Sequence, residues 1–236
     1  MSLRGLLYRS MITIWRRSGL RDWLMPVPST KDLDCSGDRA IEFPWCLQFL
    51  MRPECRVLDI GSVGSPLTGA AWRLGHEVVS VDLRAIEYEL EGMVFIQADI
   101  TKVDLPKHSF DVILLCSTVE HIGLGGRYGS PDIPDGDLQM MRLCQDWLAL
   151  DGKIALTIPV GLDATVAPRH RIYGYQRLPR LLSGYTVVRK EFWKKNDHNR
   201  WVQVSEQTAM QTDGTDSPSA LGLFDLSVGV DQPSTT

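Results

Sequence analysis

The apolar positions of this chain fall into short runs separated by polar or glycine-bearing turns. Cys55-Arg-Val-Leu-Asp-Ile60, Glu77-Val-Val-Ser-Val-Asp82, Met93-Val-Phe-Ile-Gln-Ala-Asp99, Phe110-Asp-Val-Ile-Leu-Leu-Cys116 and Gly152-Lys-Ile-Ala-Leu-Thr-Ile-Pro159 are the near-continuous apolar runs of strands buried on both faces. Helical segments are predicted between and around them, over roughly Ser36 to Leu50, Leu67 to Arg73 and Gly136 to Leu150. Strands alternating with helices imply βαβ crossovers and a mainly parallel α/β sheet. Tyr185 to Phe192 predicts a sixth strand, and Leu221 to Val228 a seventh that pairs with it as an antiparallel edge. Residues 194–217 then form a long polar insertion and 229–236 a frayed tail. The implied organisation is a helical extension over 1–50, a core over 51–193, and the insertion, last strand and tail over 194–236.

The first 25 residues are a separate pattern. Leu3, Leu6, Leu7, Met11, Ile14 and Trp15 keep helical spacing, with Arg9 and Arg16 on the opposite side, and Pro26 and Pro28 close the segment. Arginines interrupt every apolar run, so the segment does not read as a secretory signal. It reads as a helix packed on the domain as a lid, or as a peripheral contact with an anionic membrane surface.

Charge sharpens this division. The formal net charge is −4 over 236 residues, but residues 1–25 carry +4 and residues 205–236 carry −5. An acidic chain is poorly suited to neutralising phosphates, which disfavours a nucleic-acid partner. Five scattered cysteines with no C-x-x-C pair suit reduced thiols in a cytoplasmic protein and not a disulfide framework. No stretch approaches 18 uninterrupted apolar residues.

Candidate chemistry collects where the strands end. In an open α/β sheet, ligands bind outside the carboxyl ends of the strands. Asp59 and Gly61 fall at the end of the first strand, Asp82 at the second and Asp99 at the third. A glycine at the first turn lets the backbone approach a ligand where a Cβ would collide. Asp82 is placed to accept both hydroxyls of a ribose, and Asp99 to meet the exocyclic amine of an adenine. Asp59, Asp82 and Asp99 could equally begin turns and cap helices; the ordered set of three favours the ligand reading.

Val57-Leu-Asp-Ile-Gly61, Val81-Asp82, Gln97-Ala-Asp99-Ile, Phe110-Asp-Val-Ile-Leu and Asp151-Gly-Lys together resemble the successive motifs of class I S-adenosylmethionine-dependent methyltransferases, over roughly residues 51–160. The resemblance implies a Rossmann-like, doubly wound seven-stranded sheet with a reversed last strand. It also implies S-adenosylmethionine as cofactor. Asp59, Gly61 and Gly64 would line its methionine side, Asp82 and Leu83 its ribose, Asp99 and Ile100 its adenine, and Cys116 would back it. The stretch Ser117-Thr-Val-Glu-His121-Ile-Gly, with Asp135-Gly-Asp137 and His170-Arg-Ile-Tyr173, is similar to a methyltransferase-like subgroup associated with surface glycans. The glycine turn departs from the family pattern, because Val63 and Ser65 stand where the second and third glycines are usual.

Methyl transfer is mostly in-line positioning, with deprotonation of an oxygen or nitrogen acceptor where required. His121, just beyond the fourth strand, and His170, beyond the fifth, are the candidate bases, with Glu120 orienting the histidine or binding substrate. Asp135, Asp137, Arg171 and Tyr173 are the candidate acceptor contacts, Arg171 as a clamp for a carboxylate or phosphate. The Asp132, Asp135 and Asp137 spacing lacks a full calcium-loop pattern, and no metal is expected. The expected acceptor is a sugar hydroxyl on a glycan or glycolipid precursor. The alternatives are a methyltransferase-like binding protein without turnover and a nicotinamide-dependent oxidoreductase. The turn lacks G-x-G-x-x-G, which weighs against the latter.

Overall fold

The computed structural model describes residues 37–86, 88, 90–126, 132–215 and 219–228. The helix expected over residues 1–25, with its lid or membrane role, and the tail over 229–236 lie outside the described residues. Among the described residues no helix is long and apolar enough to cross a membrane.

Helix α1 (Arg39–Gln48) leads into β1 (Arg56–Ile60), α2 (Leu67–Arg73), β2 (Glu77–Asp82), β3 (Val94–Gln97) and β4 (Phe110–Cys116). Helix α3 (Gly136–Trp147) runs directly into β5 (Leu148–Pro159). A small hairpin follows, β6 (Ala164–Val166) and β7 (His170–Ile172), then α4 (Arg177–Leu181) and β8 (Tyr185–Lys195). The last described elements are β9 (Trp201–Val204), α5 (Glu206–Met210) and β10 (Ala220–Val228).

The main sheet has eight strands in the order β3-β2-β1-β4-β5-β10-β8-β9. Strands β3, β2, β1, β4 and β5 are mutually parallel, and β10 runs against both of its neighbours. Alternate strand residues feed two cores. Leu58, Ile113 and Leu115 pack toward α3, whose inner stripe is Met140, Met141, Cys144 and Trp147. Val57, Val112 and Leu114 pack toward Trp45 and Cys46 of α1 and Leu67 and Ala71 of α2. Strands β1 and β4 are thus apolar on both sides, which is why their sequences show runs and not alternation.

Two expectations are corrected. The sheet has eight strands, not seven, because Trp201–Val204 inside the supposed polar insertion pairs antiparallel with β8. A short helix follows it, started by Ser205, whose Oγ accepts the Thr208 N–H at 3.2 Å. The reversed strand is also not an edge: β10 lies between β5 and β8. Its sequence accounts for this, since Ala220, Leu221, Leu223, Phe224 and Leu226 are all buried, and an edge strand rarely hides both faces.

Candidate functional site

Parallel strands leave their carboxyl ends along one rim, and a cavity of about 330 Å³ opens there. Its wall takes Gly61, Val63 and Gly64 from the turn after β1, Asp82, Leu83 and Arg84 after β2, and Asp99 and Ile100 after β3. Cys116, Ser117, Thr118 and His121 follow β4, and Arg39 and Phe43 come from α1. The expected Gly61, Gly64, Asp82, Leu83, Asp99, Ile100, Cys116 and His121 are therefore brought to one cavity, from four different strands.

Local backbone chemistry builds that wall. Gly61 has φ +76° and its N–H extends the ladder to the Val81 carbonyl at 2.8 Å. A Cβ on Gly61 would come within 2.5 Å of Thr118 Oγ1, so any side chain would force the β1 and β4 turns apart. Asp59 is set behind the wall, not in it: it is buried and its Oδ2 accepts the Thr68 hydroxyl of α2 at 2.6 Å. Burial pushes its carboxyl up to about 6. Asp59 thus braces the glycine turn from beneath and does not line the cavity, as the resemblance had implied.

Asp82 lies in the wall with its acceptors engaged. Oδ2 takes the Val63 N–H at 2.9 Å, and Oδ1 takes the Arg84 N–H at 2.9 Å. The Arg84 guanidinium reaches both oxygens at 3.1 Å and donates to the Val63 carbonyl at 2.6 Å. The irregular glycine turn and the second strand are in this way tied by one arginine. Asp99 caps the 3-10 turn Ile100–Lys102, accepting the Thr101 N–H at 3.0 Å and the Thr101 hydroxyl at 2.7 Å.

Across the cavity, His121 ends the 3-10 turn Val119–His121. Its Nδ1 lies 2.6 Å from the Arg169 carbonyl. A carbonyl only accepts, so Nδ1 carries the proton and Nε2 is the basic nitrogen. Nε2 stands 3.7 Å from Glu120 Oε1. Glu120 itself is buried outside the wall, with Oε2 unpartnered, and burial pushes its carboxyl up to about 8. His170, the other candidate base, is buried on β7 and is not part of the cavity wall.

The expected acceptor contacts are placed elsewhere. Asp137 is fully buried at the start of α3 and accepts from Tyr173 Oη at 3.0 Å and from Arg177 Nε at 2.8 Å and Nη2 at 2.5 Å. The Arg171 guanidinium, also buried, donates to the main-chain carbonyls of Ile122 at 2.6 Å and of Ile133 and Pro134 at 3.3 Å. Asp135 pairs on the surface with Arg177 and Arg180, each at 3.3 Å. Arg171, Tyr173 and Asp137 therefore clamp the chain between β4 and α3 instead of facing a ligand, because their donors and acceptors satisfy one another.

Three residues of α1 went unread. Glu42 is buried beneath the cavity, where it accepts from Thr157 Oγ1 at 2.8 Å, from Ser117 Oγ, and from Arg39 Nη1 at 2.7 Å. Burial raises its carboxyl above the usual carboxylate range despite the arginine. The signal was present: Glu42 shares a helical stripe with Trp45 and Cys46, and a carboxylate on an apolar stripe needs partners inside. Arg39 and Phe43 flank it on the cavity side.

The strand order, the reversed strand and the cavity at the carboxyl rim define a class I methyltransferase fold. Solved structures agree on the fold. The 1,6-didemethyltoxoflavin-N1-methyltransferase of Burkholderia thailandensis, seen with 1,6-didemethyltoxoflavin and S-adenosylhomocysteine, superposes with a TM-score of 0.56 at 17% identity, covering 96% of this chain and 89% of that one. A SAM-dependent methyltransferase from Archaeoglobus fulgidus gives 0.51 at 17% identity, covering 81% and 92%. The chain belongs to the family described as Caenorhabditis protein of unknown function, DUF268, whose profile matches residues 77–217. The ubiquinone biosynthesis O-methyltransferase of Xanthomonas campestris pv. campestris is 28% identical over 172 residues, 69% of this chain and 66% of that relative's length. The match thus spans just under two thirds of that relative.

Proposed function

We propose that this chain is an S-adenosylmethionine-dependent methyltransferase acting on a hydroxyl of a small polar acceptor, with a sugar hydroxyl as the first class to test. The observation that carries the reading is the convergence of Gly61, Asp82, Asp99 and His121, from four strand ends, on one cavity. The donor set fits the cofactor. Two carboxylates stand in strand order for a diol and an amine, beside an apolar stretch at Leu83 and Ile100. The 28% identity to an O-methyltransferase supports an oxygen acceptor.

When bound, S-adenosylmethionine supplies an electrophilic methyl group on a sulfonium. Asp82 would hold the ribose hydroxyls, with Arg84 turning outward to release its acceptors. Asp99 and Ile100 would hold the adenine, and Gly61, Gly64 and Cys116 the remainder. His121 Nε2 takes the acceptor's hydroxyl proton while the Arg169 carbonyl holds Nδ1–H and fixes the ring. Glu120, with its proton retained by burial, adds no anionic charge beside the imidazole near neutral pH.

Thermal-shift and calorimetric titration of the whole chain test this reading. S-adenosylhomocysteine is expected to stabilise the protein and NAD is not. Labelled methyl transfer to saccharide acceptors then tests turnover. One observation favours a second reading, a binding protein without turnover: the Asp82 carboxylate is already held by Arg84 and Val63. Absence of both cofactor binding and methyl transfer would favour that reading, and stabilisation by NAD alone would sink both.

A further inference from the structure

Among the described residues Arg39, Arg84, Arg171 and Arg177 stand near the carboxyl rim, and the last three are consumed by the protein. Arg84 is spent on Asp82 and Val63. Arg171 and Arg177 are spent on Asp137 and main-chain carbonyls. Arg39 differs. Its Nη1 is fixed by Glu42 at 2.7 Å and lies 3.6 Å from Cys116 Sγ, while Nε and Nη2 have no hydrogen-bond partner among the described residues. Its side chain keeps 47% of its surface exposed, on the cavity wall, and the guanidinium carbon lies 5.6 Å from the centre of the Phe43 ring.

This is a cation oriented from behind with its remaining fork open in front. Glu42 does not swing out into the path of an incoming anion, since Ser117 and Thr157 hold its carboxylate inside. The placement is at the end of β4, beside Cys116 and Ser117 and on the same wall as His121. A planar fork with free N–H donors matches a carboxylate in two-point fashion, and the neighbouring ring offers a flat apolar face to the rest of the molecule.

We propose that Arg39 recognises a carboxylate on the methyl acceptor, so that the substrate class is a hydroxylated carboxylic acid and not a neutral polyol. The assignment rests on the methyltransferase reading and deepens it. Glu42 is the positioning residue, acting through Arg39. The carboxylate has two sources in small-molecule chemistry, a phenolic acid or a sugar acid, and matched pairs separate them.

The experiment uses the full chain saturated with S-adenosylhomocysteine, whose own binding is measured first by calorimetry. Affinities are then compared for 3,4-dihydroxybenzoate against 3,4-dihydroxybenzamide, and for glucuronate against glucose. The charged member of at least one pair is expected to bind about tenfold more tightly, a ratio that falls to near one in Arg39→Gln and is partly kept in Arg39→Lys. Taking the ratio within each protein cancels any general loss of affinity. Equal affinities in both pairs, including no binding of either member, overturn the Arg39 assignment, as does a preference that survives Arg39→Gln. Absence of S-adenosylhomocysteine binding instead sinks the underlying methyltransferase reading.

Discussion

Two groups of charged residues stand near the same rim of the sheet and are put to opposite uses. Around Asp137 every strong donor meets an acceptor inside the protein: Arg171, Arg177 and Tyr173 converge on one buried carboxylate and the carbonyls beside it. Around the cavity the polar groups line an opening: Asp82 is held by Val63 and Arg84, Asp99 by Thr101 and His121 Nδ1 by the Arg169 carbonyl, while Arg39 keeps two donors without a partner among the described residues. In sequence the two groups look alike, acids and bases spread over helix starts and strand ends with no mark of the partners they will meet. The difference is whether the partners lie within the chain. A saturated ion-pair network is structure, and a half-saturated one at an opening is available for a ligand.

The contrast can be broken most forcefully at its closed end. Asp137→Ala leaves Arg171 and Arg177 without their buried partner, and is expected to cost on the order of 4 kcal/mol of stability. Urea denaturation measures it, and a loss below about 1 kcal/mol would return Asp137 to the candidate ligands.

Next in size is a pH effect at Glu120, which stands between the two groups. In the fold it keeps its proton to about pH 8, against an ordinary value of 4.5, because burial disfavours the carboxylate. The unfolded chain releases that proton first, so the folded state binds more protons and stability falls as pH rises from 4.5 toward 8. Glu120→Gln cannot ionise. Its stability relative to the unmodified chain is expected to improve by on the order of 3 kcal/mol between about pH 5 and pH 9. A difference independent of pH would show that Glu120 is ionised in the fold throughout.

At the open end, His121→Ala is expected to lower kcat about 10²-fold while S-adenosylhomocysteine affinity changes less than about threefold. Equal kcat in the two proteins would remove His121 as the base. The smallest effects concern the cofactor side. Asp82→Asn is expected to weaken S-adenosylhomocysteine about tenfold, and Arg84→Ala to tighten it about threefold by freeing the carboxylate. If Arg84→Ala weakens binding, the arginine belongs to the ligand and not to the closed arrangement.

Most of the fold was legible because doubly covered strands advertise themselves. Phe110–Cys116 and Glu77–Asp82 appear in the structure with the expected bounds, since a run apolar on both faces has few alternatives. Trp201–Val204 was missed because a four-residue edge strand between polar turns carries little pattern. The position of Leu221–Val228 was misjudged for a different reason: pairing order depends on contacts between distant residues, although its burial on both faces was written in the apolar run. At the site, the residues after each strand could be read because topology sends all of them to one rim. Which of them face inward could not. Arg171 and Arg39 are chemically the same side chain, and only the distances to Ile122, Ile133 and Glu42 separate a buried clamp from an open cation.

The placement of β10 has a consequence for how the chain is assembled during synthesis. Strand β8 leaves the ribosome well before its central neighbour exists, and once β9 has followed it that strand alone is beside it until β10 is made. The strand translated last of the ten then enters the middle of the sheet, zipping to β5 on one side and β8 on the other. Completion of this half of the molecule therefore waits on the final described residues. A growing chain arrested before Ala220 would display two unpaired hydrogen-bonding rims, the configuration most open to capture by another strand.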